Sequence, residues 1–71
     1  MSTTTTYSVT GMTCGHCVNS VTEELTALSG VTGVTVDLVA GGASTVHVTS
    51  DAALDRADVA SAVDEAGYVL Q

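Results

Sequence analysis

The chain has 71 residues, of which eight are acidic and one, Arg56, is basic, giving a net charge of -7 at pH 7. That charge repels phosphate backbones and anionic membrane surfaces, no apolar run approaches the roughly 20 residues of a membrane span, and the opening Met-Ser-Thr-Thr-Thr-Thr lacks the basic and apolar regions of a signal peptide. These features argue against nucleic acid and membrane insertion, and predict a soluble, cytoplasmic protein with one domain over residues 1–71, of which about 1–5 form a flexible N-terminus.

Tyr7 to Thr10 alternates apolar and polar residues, which predicts a half-buried strand that Gly11 ends. Both cysteines follow at once, in Gly11-Met12-Thr13-Cys14-Gly15-His16-Cys17. From about Gly15 to Leu28, Val18, Val21, Leu25 and Leu28 recur at helical spacing, with Asn19, Glu23 and Glu24 off the stripe. Ser29-Gly30 supplies the stop, with Gly30 as the left-handed C′ residue.

Val34, Val36 and Leu38 alternate with Thr35 and Asp37, and Val46 and Val48 alternate with Thr45, His47 and Thr49. The Gly41-Gly42 pair between them predicts a β-hairpin. His47 falls on its polar side, as a solvated strand residue. Asp55 suits an N-cap, Asp58 a weaker capping-box partner, and Leu54 with Val59 a hydrophobic staple. A second helix from Arg56 to Ala66 is then buried through Val59, Ala62, Val63 and Ala66, Gly67 closes it, and Tyr68-Val69-Leu70 forms a short last strand.

The order strand, helix, strand, strand, helix, strand is the ferredoxin-like α+β arrangement, with two helices on one face of a four-stranded antiparallel sheet. In this topology the start of the last strand returns to the end of the domain that holds the Gly11 to Gly15 loop. Tyr68 is therefore expected near the thiols.

Cysteines at i and i+3 on a helical turn have Cβ atoms roughly 5–6 Å apart, so both sulfurs can reach one ion. A helix N-terminus offers unpaired N–H groups and partial positive charge, which favour thiolate over thiol. In a reducing cytosol such a pair points to metal or redox chemistry, since a bridge across so short a loop restrains little. Haem attachment requires His directly after the second cysteine, where Val18 stands; thioredoxin-like proteins usually carry a cis-proline, and the chain has no proline. A closed zinc site would have to recruit His16, His47, a carboxylate or a second molecule. Two soft thiolates suit a soft, low-coordinate metal ion better than four-coordinate Zn²⁺. His16 is expected to project away from the chelate with an exposed or thiolate-tuning role, and Met12 to anchor the loop.

Gly-Met-Thr-Cys-Gly-His-Cys, at the end of a first strand and opening a helix, resembles the signature of the heavy-metal-associated domain of copper chaperones and copper-transporting P-type ATPases. The resemblance extends through Gly30-Val31, Val34 to Leu38 and Asp58 to Tyr68, and in layout is similar to stand-alone bacterial copper chaperones. It implies Cys14 and Cys17 as ligands of one Cu(I), with Met12 packed beneath the loop and Tyr68 beside the site. The zinc and cadmium branch often has aspartate where this chain has Thr13. The resemblance further implies a non-enzymatic carrier, monomeric without copper and able to form a copper-bridged dimer. It would deliver Cu(I) by ligand exchange to a copper-transporting P-type ATPase metal-binding domain or a copper-responsive regulator. A detached ATPase metal-binding domain is the alternative within this class, less favoured by Met1 and a layout ending at Gln71; a dithiol redox protein is the alternative outside it.

Overall fold

The computed structural model describes residues 2–71; Met1, the first residue of the expected flexible N-terminus, lies outside the described residues. Strand β1 (Thr3–Thr10) leads to helix α1 (Gly15–Thr26), then β2 (Val31–Asp37), β3 (Ala43–Ser50), α2 (Arg56–Glu65) and β4 (Val69–Leu70). All strand pairs are antiparallel, in one sheet of order β2-β3-β1-β4. This is the ferredoxin-like arrangement that the element order predicts.

Several boundaries differ from the sequence expectation. Strand β1 begins at Thr3 instead of Tyr7, because Thr3 to Thr6 pair with Ser50 to His47 of β3. Threonine is β-branched and fits a pleated surface, and ladder pairing makes a strand of residues 3–5, which the lack of apolar alternation assigned to a flexible terminus. Strand β2 begins at Val31, which pairs with Ser50 before a register shift that ends at Gly33, and Leu38 lies beyond its end. Helix α1 stops at Thr26 with Ala27 as its C-cap. Gly30 is left-handed (φ 89°), but as the third residue of a turn closed by the Val31 N–H on the Leu28 carbonyl (3.2 Å), so it is not the helix C′ residue.

Burial follows the two periodicities. Tyr7, Val9, Val46 and Val48 from the sheet join Val21 and Leu25 from α1, Val59, Ala62 and Val63 from α2, and Met12 in one core cluster. Val46 and Val48 point to a single face of β3, so both helices cover that face. Ala66, expected in the core, is only half-buried at its edge.

The opposite face is polar and open. Thr4 and Thr49 hydroxyls lie 3.2 Å apart, and His47 holds Thr6 through Nδ1 (3.3 Å) and Asp37 through Nε2 (3.2 Å). His47 is thus linked across both neighbouring strands, by exposed hydrogen bonds that each contribute about 1 kcal/mol at most.

The ends of α2 set the approach to the functional end of the molecule. Asp55 accepts the Ala57 N–H (3.0 Å) as the predicted N-cap. At the other end the Gly67 N–H donates to the Asp64 carbonyl (2.9 Å) and the Tyr68 N–H to the Val63 carbonyl (3.1 Å), with Gly67 at φ 92°. This is the Schellman pattern, and it needs a residue at C′ that tolerates the left-handed region. The reversal sends Tyr68 back toward β1. There Thr10 pairs with Val69 on one side and Ala43 on the other, so the loop after β1 and the residue before β4 share one end of the sheet.

Candidate metal centre

Cys14 is the N-cap of α1, with extended backbone (φ -156°, ψ 174°), and its carbonyl accepts the N–H groups of Cys17 (3.1 Å) and Val18 (3.3 Å). Its side chain makes no capping bond. Serine, threonine, aspartate or asparagine would normally accept a first-turn N–H here, so the sequence gives up about 1 kcal/mol of helix stability by placing a thiol at this position. No acidic residue occupies the first turn either. The positive end of the helix is left to the sulfurs.

Cys17 lies one turn on, and the two Sγ atoms are 3.7 Å apart. A disulfide would require about 2.05 Å, and both cysteines are free thiols. An ion with metal–sulfur bonds of about 2.3 Å touches both sulfurs whenever they are less than about 4.6 Å apart, so the pair fits a single soft ion without backbone movement. No group of three or more His, Cys, Asp or Glu side chains is placed to hold a metal among the described residues. The donor set at this site is two sulfurs, too few for the closed four-ligand shell of structural zinc.

Cys17 is held toward the thiolate by the groups around it. Its pKa is lowered to about 6, foremost by the main-chain amide of Thr13, then by the Tyr68 hydroxyl and the amide of Cys14, with modest desolvation opposing. The Tyr68 hydroxyl is correspondingly pushed up, chiefly by its interaction with the Cys17 sulfur. Thr13 Oγ1 lies 3.9 Å from Cys17 Sγ, a further weak contact. Met12 is fully buried in the core beneath the loop, and His16 is exposed, its carbonyl accepting the Ser20 hydroxyl at 3.2 Å. The structure thus gathers Thr13, Cys14, Cys17 and Tyr68, places Met12 below them, and leaves His16 at the surface.

Two contributions were not legible in the sequence. One is the Thr13 amide, since any residue at that position supplies an N–H. The other is Gly11, at φ 97°, where an added Cβ would stand 3.3 Å from Tyr68 Cδ1. A glycine between a strand and a cysteine loop hints at unusual backbone, but not at an aromatic ring packed against it.

Replacing Tyr68 with Phe removes the second of the groups that favour the Cys17 thiolate, so the Cys17 pKa is expected to rise above about 6, measured by thiolate ultraviolet absorbance. The sign carries over to stability. A thiol whose pKa is lower folded than unfolded contributes stability in full above its unfolded value of about 8.5, and loses it as pH falls through about 6. The reduced, metal-free protein should therefore melt at rising temperature as pH is raised through that window, and Tyr68→Phe should flatten the rise.

Residues 6–69 match the model of the heavy-metal-associated domain. The chain belongs to the heavy-metal-associated domain family. Among curated relatives, it is 41% identical over 64 residues to copper chaperone CopZ of Bacillus subtilis (strain 168), covering 89% of this chain and 88% of the relative. It is 34% identical over 61 residues to copper chaperone CopZ of Staphylococcus aureus (strain Newman), covering 86% and 87%. A solved structure titled CopZ metallochaperone superposes with a TM-score of 0.83 at 30% identity, over 97% of this chain and all of that one. The matched residues include the loop and helical turn that carry both thiols.

Proposed function

We propose that this protein is a copper carrier, and not an enzyme, which binds Cu(I) through Cys14 and Cys17 and passes it to a protein acceptor. The observation that carries this reading is the pair of sulfurs 3.7 Å apart on an N-terminal helical turn, with no third His, Cys, Asp or Glu placed to complete a metal site among the described residues. Likeness to copper chaperones named CopZ over nearly the whole chain supports copper as the cargo. Soft thiolates prefer Cu(I), and a two-sulfur shell leaves open directions around the ion.

Transfer proceeds by ligand exchange without redox change. An acceptor thiol loses its proton and its sulfur bonds to the copper, one cysteine of this chain departs as a thiolate, and a second acceptor thiolate displaces the other. Cys17, anionic near neutral pH, binds copper with little proton release. The acceptor in this reading is the metal-binding domain of a copper-transporting P-type ATPase or a copper-responsive regulator. The carrier works in the cytoplasm, monomeric when free of copper, and exposed thiolates also permit a copper-bridged pair of chains. Met12 supports the loop from below, Thr13 and Tyr68 hold Cys17 as thiolate, and His16 acts from the surface without ligating.

The lowered Cys17 pKa beside a second free thiol also fits dithiol redox exchange. Anaerobic titration of the reduced protein with Cu(I) against a competing chelator, with Zn²⁺ in parallel, separates the two. Tight 1:1 Cu(I) binding that far exceeds Zn²⁺ binding is expected. Weak Cu(I) binding together with disulfide exchange at a thioredoxin-like potential would establish the redox reading instead.

A further inference from the structure

Side chains from three strands form an unbroken hydrogen-bonded chain on the open face of the sheet. Thr6 Oγ1 lies 3.3 Å from His47 Nδ1, and His47 Nε2 lies 3.2 Å from Asp37 Oδ2. The register builds it: Thr6 stands directly opposite His47 across β1 and β3, and Asp37 follows Thr35, the β2 partner of His47, on the same face. Tyr7, Val46 and Val48 turn to the core, so strand alternation holds Thr6 and His47 on the other face, away from both helices. The chain of bonds shares no residue with the thiol loop.

The direction of each bond follows from the partners. A carboxylate only accepts, so the N–H of a neutral imidazole is on Nε2, and Nδ1 presents its lone pair. The Thr6 hydroxyl is therefore the donor, with its proton directed at His47 Nδ1. Hydroxyl, imidazole and carboxylate in this order are a nucleophile, a general base and the anion that orients the base, with the two ring nitrogens exchanged relative to serine hydrolases. Thr4, on the same face of β1, meets the Thr49 hydroxyl at 3.2 Å in place of an imidazole.

We infer that Thr6 is a self-acylation site, at which His47 and Asp37 activate the hydroxyl toward small, neutral activated esters and thioesters. Thr6 Oγ1 bonds to the acyl carbon while its proton passes to His47 Nδ1, and Asp37 faces the imidazolium that results. The bond from the acyl carbon to the donor's oxygen or sulfur then breaks, and the leaving phenolate or thiolate takes the proton from His47. Nothing is oxidised or reduced, and the product is a Thr6 ester. The donor is neutral because a chain of net charge -7 repels anionic ones. Arg56 is the only basic residue and lysine is absent, so no side-chain amine competes for the acyl group.

The test treats the full-length reduced protein with p-nitrophenyl acetate near neutral pH. Fragmentation of the intact chain by mass spectrometry then locates the acetyl groups, separating threonine esters from adducts at Cys14, Cys17 and the histidines. Thr6 is expected to be acetylated about 10²-fold faster than Thr4, the low end of what a positioned general base supplies, because on an open face water alone solvates the developing oxyanion. His47→Gln keeps a polar side chain without a base, and is expected to lower the Thr6 rate by about the same factor. Thr6→Ser retains the hydroxyl and is expected to retain the acetylation. Equal acetylation of Thr4 and Thr6, a Thr6 rate unchanged in His47→Gln, or acetyl groups that collect on His47 and not on Thr6 overturns the inference. The comparison of Thr6 with Thr4 is made within the wild type, so it decides the matter whether or not a variant folds.

Discussion

Replacing Cys17 with Ser is expected to weaken Cu(I) binding by about 10²- to 10³-fold, and replacing both cysteines to abolish it. The scale comes from structural zinc sites, where apparent binding of about 10–16 kcal/mol is shared among four ligands, or about 2.5–4 kcal/mol each. A serine hydroxyl at the same place is harder and stays protonated, so it does not replace the thiolate. Cys14→Ser retains Cys17 with its Thr13 and Tyr68 donors in place, and is expected to keep the larger residual affinity at neutral pH. Chelator competition on the two single variants and the double variant reads these differences directly. Unchanged affinity in the double variant would remove the dithiolate from the proposal altogether.

Met12→Ala should produce the largest loss of stability of any change near the site. Met12 is fully buried, and its side chain joins the metal loop to the core formed by both helices and the sheet. Truncating a buried methionine costs about 2–5 kcal/mol through lost burial and the cavity left behind. A domain of this size has a total stability of only about 4–11 kcal/mol, so a substantial fraction of the metal-free variant is expected to unfold near body temperature. Copper offers a check on cause: free ligand at 1,000 times its Kd adds about 4 kcal/mol to the folded state. Thermal melts followed by circular dichroism should show a lowered Tm that Cu(I) largely restores. A variant that melts like the wild type would mean that the loop is not anchored through Met12.

Much of this molecule is written locally. The i, i+3 spacing of the cysteines, the glycine ending β1 and the valine and leucine stripe of α1 were sufficient to place the thiols at a helix N-terminus, because N-cap geometry depends on a few adjacent residues. The apolar alternation in β3 and the Asp55 cap were legible for the same reason. Local reading failed where tertiary pairing supplied the stabilisation. The threonines from Thr3 to Thr6 carry no hydrophobic pattern, yet β3 makes them a strand. His47 does lie on the polar, open face as its alternation with Val46 and Val48 indicates, but only the register shows that it bonds Thr6 and Asp37 there.

The sequence by itself determined the order of elements, the ferredoxin-like fold and a dithiol at a loop-to-helix junction, since periodicity, capping and spacing are short-range properties. The topology also put Tyr68 near the thiols, but only the tertiary structure decided which groups favour the Cys17 thiolate. Tyr68 reaches Cys17 because Gly67 reverses the chain after α2 and Gly11 leaves room for the ring, two conformations set by residues far apart in sequence. The exposed aliphatic side chains Leu38, Val39 and Val69 likewise come from separate segments, which antiparallel pairing brings to the end of the sheet where β1 runs into the thiol loop.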